Sequence, residues 1–262
     1  MIRKIIFVIF ACFSILNAHE RLFTYSYDTD YLPKGLFELE QWTTLKTGKE
    51  RGFYYLWDMR TEFEYAITEK THLALYLNYS STYKHSYENN QVTEQSTFKF
   101  KGIDLAVVHR LLSPRDIIGF GVYLEGKYRM NKQEIEEKIL LSKYFGSILW
   151  TLNFIFEQEF EGKYSSSGNI ETEKEAKFIL PIGIAYKFGS FSFGIEAWLH
   201  SEFKDRILPF TTKAEHHAFF LGPVIHYSTS KFWITLTIAP QITKVLDEHE
   251  KLESRMIFSI IF

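Results

Sequence analysis

Cysteine, proline, glycine and long apolar runs are all scarce in this chain of 262 residues. The only cysteine is Cys12, so no internal disulfide and no cysteine-based metal site can form. After residue 18 no run of 18 or more apolar residues occurs, which excludes a membrane-spanning helix. No stretch rich in proline, glycine or serine divides the chain, and we therefore predict a single domain.

A strong excess of positive charge is also missing. Lys and Arg number 30 against 32 Asp and Glu, which excludes the basic surface that nucleic acid requires. What the chain does have is an aromatic content of 18%, with 25 Phe, 16 Tyr and 5 Trp. These counts are high for an ordinary soluble domain.

The first residues resemble an export signal. Arg3 and Lys4 precede the apolar stretch 5–16, which has the length of a signal-peptide core, and Ala18 offers a small residue at the cut. We predict a cleaved signal peptide over residues 1–18. A lipoprotein cut before Cys12 is the less favoured alternative, because it would leave an unusually short signal.

Alternation with period two dominates the rest of the chain and predicts strands with two unlike faces. In "YYLWDMRTEFEYAI" the aromatic and apolar residues share one face, and Asp58, Arg60, Glu62 and Glu64 share the other. Twelve such segments occur, at 35–46, 54–67, 71–83, 97–110, 117–130, 134–144, 148–161, 174–187, 191–203, 217–228, 231–243 and 252–262.

Segment length and connection length indicate the fold class. Most segments exceed the 9–11 residues that a tilted strand needs to cross a bilayer. Tight links such as the two "FGS" turns alternate with longer polar ones such as "KHSYENNQVTEQS". We predict an all-β, 12-stranded antiparallel transmembrane β-barrel of the outer-membrane type over residues 35–262, with N- and C-termini periplasmic and residues 19–34 as a short periplasmic segment.

The charges decide which face meets lipid. A register slip in segment 54–67 would turn four charges outward, and a basic residue at midplane costs about 2–4 kcal/mol. The apolar face must therefore contact outer-membrane lipid and lipopolysaccharide, in a Gram-negative cell. A secreted β-sandwich or a soluble lipocalin-like barrel is the alternative, but strands this long would be unusual there.

One family resemblance covers residues 25–80. Pro33-Lys34-Gly35, then Glu38, Glu40, Gln41 and Trp42, then "EFEYAITEKTHLALYLN" resemble the opening of DUF6662, a family of uncharacterised bacterial outer-membrane β-barrels. The likeness continues more weakly through "RLLSPRD", "GFGVYLEGKY" and "EEKILLSKYFG". It implies a barrel and an outer-membrane address, and it supplies no catalytic residue.

Two inward-facing charge groups are the candidate functional residues. The first is a lumen charge cluster in which four glutamates meet on one wall, with arginines as candidate counterions: Glu38, Glu40, Asp58, Arg60, Glu62, Glu64, Arg110 and Arg255. The second lies in the extracellular half of the lumen: Glu125, Lys127, Arg129, Glu134, Glu136, Lys138, Glu157, Glu159, Glu161, Glu175 and Lys177. Either group could line a cation path or form a closed network of neutralising pairs.

Metal binding and catalysis have weaker support. His200, Glu202 and His216 could meet at the outer rim and hold a transition metal, although rim histidines are more often merely solvated. A lipid hydrolase would need a serine with a histidine base, and no such pair can be placed from the sequence. We expect no cofactor and no enzyme activity.

The chain ends in "SRMIFSIIF", where Phe258, Ile260 and Phe262 share the outward face. This pattern resembles the signal that the outer-membrane assembly machinery reads, so we predict that machinery as a partner of the last strand. The predicted function is a porin-like channel or transporter for small solutes or cations. A closed structural or adhesive barrel and a lipid-modifying enzyme are the alternatives.

Overall fold

A computed structural model describes residues 20–30, 32–49, 53–88, 91–129, 132–164 and 170–262. The predicted signal peptide, residues 1–18, lies outside the described residues. Among the residues that the structure describes, no helix is long and apolar enough to cross a membrane.

Twelve strands close into one antiparallel barrel, as the alternation predicts. They are β1 (Phe37–Thr47), β2 (Phe53–Ala66), β3 (Thr71–Glu88), β4 (Gln91–Leu112), β5 (Gly119–Tyr128), β6 (Lys132–Phe145), β7 (Ile148–Tyr164), β8 (Ile170–Phe188), β9 (Phe191–Lys204), β10 (His216–Ser228), β11 (Phe232–Pro240) and β12 (Leu252–Ile261).

The seam between β1 and β12 leaves no open edge. Glu38 pairs with Ile261 and Thr47 with Leu252, and backbone bonds between Phe37 and Phe262 complete the ladder. Closure is required in lipid, where an unpaired strand edge would leave backbone groups without hydrogen-bond partners.

The two faces of the wall are those that the alternation predicts. On β2, Trp57 is 43% exposed and points outward, whereas Glu62 is only 2% exposed and points into the lumen. The same holds on β8 and β9, where Ile182, Ile184 and Ile195 are exposed. The outer wall is therefore apolar and the inner wall carries the charges.

Two pairs of strands are longer than their alternation indicates. β3 and β4 continue their pairing through Tyr83 with Ser96 and His85 with Glu94, inside the stretch that the sequence predicts as a long loop. β7 and β8 likewise pair as far as Lys163 with Glu171. In these extensions both faces of the strands are mostly polar, but the backbone hydrogen bonds between the strands continue.

The two ends of the barrel differ in their connections. One end, here called the short-turn rim, holds the two-residue turns 146–147 and 189–190 and the C-terminal Phe262. Gly146 and Gly189 have φ of 62° and 60° at these turns, a conformation that glycine adopts without strain. The opposite end, the long-loop rim, holds the connections 205–215 and 241–251.

Residues 20–30 lie inside the barrel, and this corrects the predicted periplasmic location of that part of the segment 19–34. Leu22, Phe23, Thr24 and Thr29 are at most 1% exposed, and their contacts are with strands on several sides of the lumen. We call residues 20–30 the plug loop.

Candidate functional site

The plug loop enters the lumen and returns to the rim where it began. Glu20 forms an ion pair with Lys187, beside the turn that follows β8, and its carboxylate lies 3.1 Å from Nε2 of His226. Ten residues later Asp30 pairs with Arg115, in the turn that precedes β5, at 2.7 Å. Both turns belong to the short-turn rim, so the loop is re-entrant.

One carboxylate holds the tip of the loop. The backbone N–H groups of Thr24, Tyr25 and Ser26 donate to Glu196 of β9 at 3.1, 2.7 and 2.7 Å. The hydroxyls of Thr24 and Ser26 donate to the same carboxylate at 3.1 and 2.9 Å. Glu196 is fully buried, so these five donors and Thr237 of β11, at 2.7 Å, replace its hydration.

Other wall side chains bind the main chain of the plug loop. The Asn153 side chain accepts from the N–H of Tyr27 at 2.6 Å and donates to its carbonyl at 2.9 Å. Arg255 donates to the carbonyl of Thr24 at 3.1 Å, and Thr235 donates to that of Arg21. Strands β7, β11 and β12 thus bind the plug loop together with β9.

Aromatic and cationic contacts fix two side chains of the loop. The ring of Tyr25 stacks on Trp198 with centroids 3.7 Å apart, and its hydroxyl donates to Glu253 at 2.9 Å. The guanidinium of Arg21 lies 4.4 Å from the Trp42 ring and 3.6 Å from a Glu40 oxygen. Such stacked cations gain attraction from the ring face where water is excluded.

The wall provides space for the plug loop through small residues. A Cβ built on Gly183 of β8 would lie 2.6 Å from the Phe23 ring. Ala185 and Leu149 complete the apolar pocket around Leu22 and Phe23. On the other side, Thr29 lies 2.7 Å from the hydroxyl of Ser142. Larger wall residues at these positions would leave no room for the loop.

The four-glutamate wall forms as the register predicts. Glu38 pairs with Glu64 and Glu40 with Glu62, all facing the lumen. Trp233 donates to Glu38 and Trp42 to Glu40, both at 2.7 Å, and Glu64 bonds to His72. Oxygens of Glu38, Glu40 and Glu64 lie within 4.8 Å of one another, a spacing that a cation could bridge.

One counterion of this wall, Arg21, comes from the plug loop and is not among the predicted arginines. Arg21 of the plug loop reaches Glu40, whereas Arg60 pairs with Asp104 of β4 and Glu125 of β5. Arg255 contacts Thr44 and the plug loop instead of the glutamates. Arg110 bonds to His72 at 3.2 Å, and Asp58 pairs with Lys101 at 3.2 Å, away from the cluster.

A cavity of about 10 Å³ remains between the plug loop and this wall. Arg21, Tyr27 and Asp28 of the loop line it together with Glu62 and Arg110. That volume admits about one water molecule. One oxygen of Glu62 and two nitrogens of Arg21 lack a hydrogen-bond partner there, which a single water could supply.

The half of the lumen near the long-loop rim is a lattice of ion pairs. Lys127 contacts Glu134, Glu136 and Glu157, at 3.3, 2.8 and 2.5 Å. Lys177 contacts Glu157, Glu159 and Glu175, while Lys132 and Lys138 neutralise further oxygens. Glu161 pairs with Lys163, and Arg129 pairs with Asp104. The predicted group is thus present, mostly as neutralised pairs.

The predicted histidine group gains a member from the loop 241–251. His216 lies 3.6 Å from Glu202 and 2.9 Å from His249, which the sequence analysis missed, and the rings of His200 and His249 pack edge to face. The His216–His249 distance suits a hydrogen bond between two neutral imidazoles. Among the described residues, the groups with three converging metal-ligand atoms consist of glutamates alone, and these histidines form none.

A serine–histidine pair does exist on the outer face, contrary to expectation. Ser201 of β9 and His217 of β10 are register partners, and Ser201 Oγ lies 2.8 Å from His217 Nδ1. Ser201 is only 2% exposed, so an ester could not reach its hydroxyl. The pair therefore gives no support to lipid hydrolysis.

Glu196, Asn153 and Asp104 are the central residues that the sequence analysis missed. A weak signal was available for Glu196, because it is the lone charge within the apolar and aromatic stretch "FSFGIEAWL". Its partners lie about 170 positions earlier in the chain, and no local pattern connects them.

Solved structures with the same architecture are outer-membrane barrels. The COG4313 outer membrane channel from Pseudomonas putida F1 matches with a TM-score of 0.58 at 10% identity, over 92% of this chain and 100% of that one. The NanC porin matches with a TM-score of 0.54 at 11% identity, over 86% and 98%. The β domain of the Bordetella autotransporter BrkA matches with a TM-score of 0.50 at 7% identity, over 87% and 99%.

At these identities the likeness establishes the fold alone, an outer-membrane-type β-barrel. Comparison with curated protein sequences gives no match. A family model, in contrast, matches residues 15–256, almost the whole chain. The chain belongs to the family of unknown function DUF6662.

Proposed function

We propose that this protein is an outer-membrane channel for small solutes, closed at rest by its plug loop. The observation that supports the proposal is that the lumen is closed by a segment that precedes β1 and is not part of the wall. The loop is held by hydrogen bonds and ring contacts, and the wall has Gly183 and Ser142 where the loop needs space. A barrel that is permanently closed could fill its lumen with wall side chains alone.

The charge of the lumen supports a preference for cations. Withdrawal of the plug loop would remove Arg21 from the four-glutamate wall and five donors from Glu196. Buried carboxylates that lose such partners attract cations, as rings of acidic residues do in cation channels. The lattice near the long-loop rim, with five glutamates and four lysines in contact, adds a small negative excess.

Planar-bilayer recording tests the proposal with a variant in which the loop cannot seat. Pro has no N–H, so the double substitution Tyr25→Pro and Ser26→Pro removes three donors to Glu196, namely two N–H groups and the Ser26 hydroxyl, and also the stacked ring. We expect the wild type to be mostly silent and this variant to conduct, with cations favoured. Heat-modifiable gel mobility confirms that both barrels are folded.

A silent, correctly folded variant would contradict the channel and favour the closed structural barrel. That second function has one observation in its favour, the ion-pair lattice along the neighbouring strands β5, β6, β7 and β8, which occupies the lumen side of the wall independently of the plug loop. Recording of the plug-loop variant therefore separates the two.

A further inference from the structure

The seat of the plug loop, formed by Glu196, Asn153, Thr235, Arg255, Trp198 and Trp42, binds main-chain atoms at most of its polar contacts. Glu196 accepts from three consecutive backbone N–H groups, and Asn153 bonds to both the N–H and the carbonyl of one residue. Arg255 and Thr235 each donate to a backbone carbonyl. Any peptide presents these groups, whereas a sugar or an inorganic ion does not present them at this spacing.

Two side-chain subsites add selectivity to the seat. Trp198 stacks with an aromatic ring, and the guanidinium of Arg255 lies 3.9 Å from the centroid of the same Tyr25 ring. Four residues earlier along the occupant, Trp42 and Glu40 hold the guanidinium of Arg21. The seat therefore suits a peptide with a cationic residue four positions before an aromatic one.

The wall orients Glu196 and Arg255 without help from the occupant. Thr237 donates to Glu196 at 2.7 Å, and the Nε of Arg255 donates to Thr44 at 2.9 Å. All six seat residues belong to strands of the closed barrel. A seat that is already oriented loses little entropy when it binds a ligand.

From these contacts we propose that the seat is a peptide-binding site, and that the solute class of the channel is a peptide that turns at the seat and carries a cationic and an aromatic residue. The plug loop is then a tethered self-ligand that an incoming peptide displaces. This inference rests on the proposed function for transport, but the binding step itself does not require conduction.

Fluorescence anisotropy with a labelled peptide of the sequence ERLFTYSYDTD, residues 20–30, measures binding directly. The full-length variant Tyr25→Pro, Ser26→Pro leaves every wall residue intact and should bind this peptide. The wild type should bind at least about tenfold more weakly, because a loop on a short tether competes at a millimolar effective concentration. A scrambled peptide of the same composition is the control.

A size-matched substitution makes the test specific to the seat. In the released background, Gly183→Val should abolish binding, because even a Cβ would lie 2.6 Å from the ring of Phe23. A peptide with F23A should regain binding to that variant. Gly126→Ala is the matched control, since no atom lies within 4 Å of a Cβ at that position.

Equal binding of native and scrambled peptides, or indifference to Gly183→Val, would overturn the inference. If the released variant does not fold, the unmodified wild type supplies a second readout. Excess native peptide should then accelerate hydrogen exchange at residues 24–26, and unchanged exchange would refute displacement. A barrel that binds the peptide but does not conduct in bilayers would refute the proposed channel function and would still support the peptide-binding site.

Discussion

Substitution of Glu196 by alanine should release the plug loop. The loss of seating free energy can be worked out from the contacts of this carboxylate. The carboxylate is fully buried and accepts five hydrogen bonds from the loop, none longer than 3.1 Å. A hydrogen bond to a charged group contributes about 1.5–3 kcal/mol, and the five contacts do not add independently because they share one acceptor, so we take about 3–4 kcal/mol for their joint loss. The seated population should therefore fall relative to the released one by about 10²- to 10³-fold.

Hydrogen exchange with mass spectrometry measures this change without any assumption about transport. Amides of residues 24–26 donate to Glu196 and should be strongly protected in the wild type. In Glu196→Ala their protection factor should drop by the same 10²- to 10³-fold. Glu196→Gln keeps one acceptor oxygen and should give a smaller drop, of about tenfold.

Glu202→Ala is the control for this experiment. Glu202 lies on the same face of β9, six residues further along, and contacts His216 rather than the plug loop. Its substitution should leave the protection of residues 24–26 unchanged. If a folded Glu196→Ala barrel protects these amides as well as the wild type does, the carboxylate does not hold the loop and the reasoning fails.

Three further predictions concern the barrel itself. Deletion of Phe262 should lower the amount of the protein at the cell surface more than Phe262→Ala does, because only the deletion removes the backbone hydrogen bonds to Phe37. Equal amounts of the two variants in a surface-labelling assay would contradict this. Burial and the neighbouring His216 lower the pKa of His249 from 6.5 to about 4, so an undocked loop 241–251 takes up a proton first as pH falls from 6.5 to 4. Docking of that loop is intact above pH 6.5 and should weaken by up to about 3 kcal/mol by pH 4. Hydrogen exchange at residues 249–251, corrected for the intrinsic exchange rate, should then become faster. The variant His249→Gln should lose this pH dependence. Ile182→Arg on the lipid face should cost about 2–4 kcal/mol at midplane and lower the folded fraction on heat-modifiability gels, unlike Ile182→Val.

Local alternation was enough to predict the barrel wall. Every second residue of β2 faces the same side, and the tight pairing of β1 with β2 brings Glu38 beside Glu64 and Glu40 beside Glu62. Both facts follow from neighbours in sequence. The ends of β3 and β4 could not be predicted in this way, because there the ladder continues after the apolar face has ended.

The plug loop could not be predicted because its partners are distant in sequence. Tyr25 meets Glu196 and Glu253, 171 and 228 positions away, and only barrel closure brings those strands around it. His249 was missed for the same reason, since a loop places it beside His216, 33 positions earlier. Parity along a strand tells which residues face the lumen, but not what fills it.

The re-entrant path of the plug loop has a topological consequence. Glu20 and Asp30 both lie at the short-turn rim, so residues 20–30 turn back within the lumen and do not pass through the barrel from end to end. The loop can consequently move in or out after the seam between β1 and β12 has closed, without threading a chain end. Insertion of the plug loop therefore need not precede closure of the barrel.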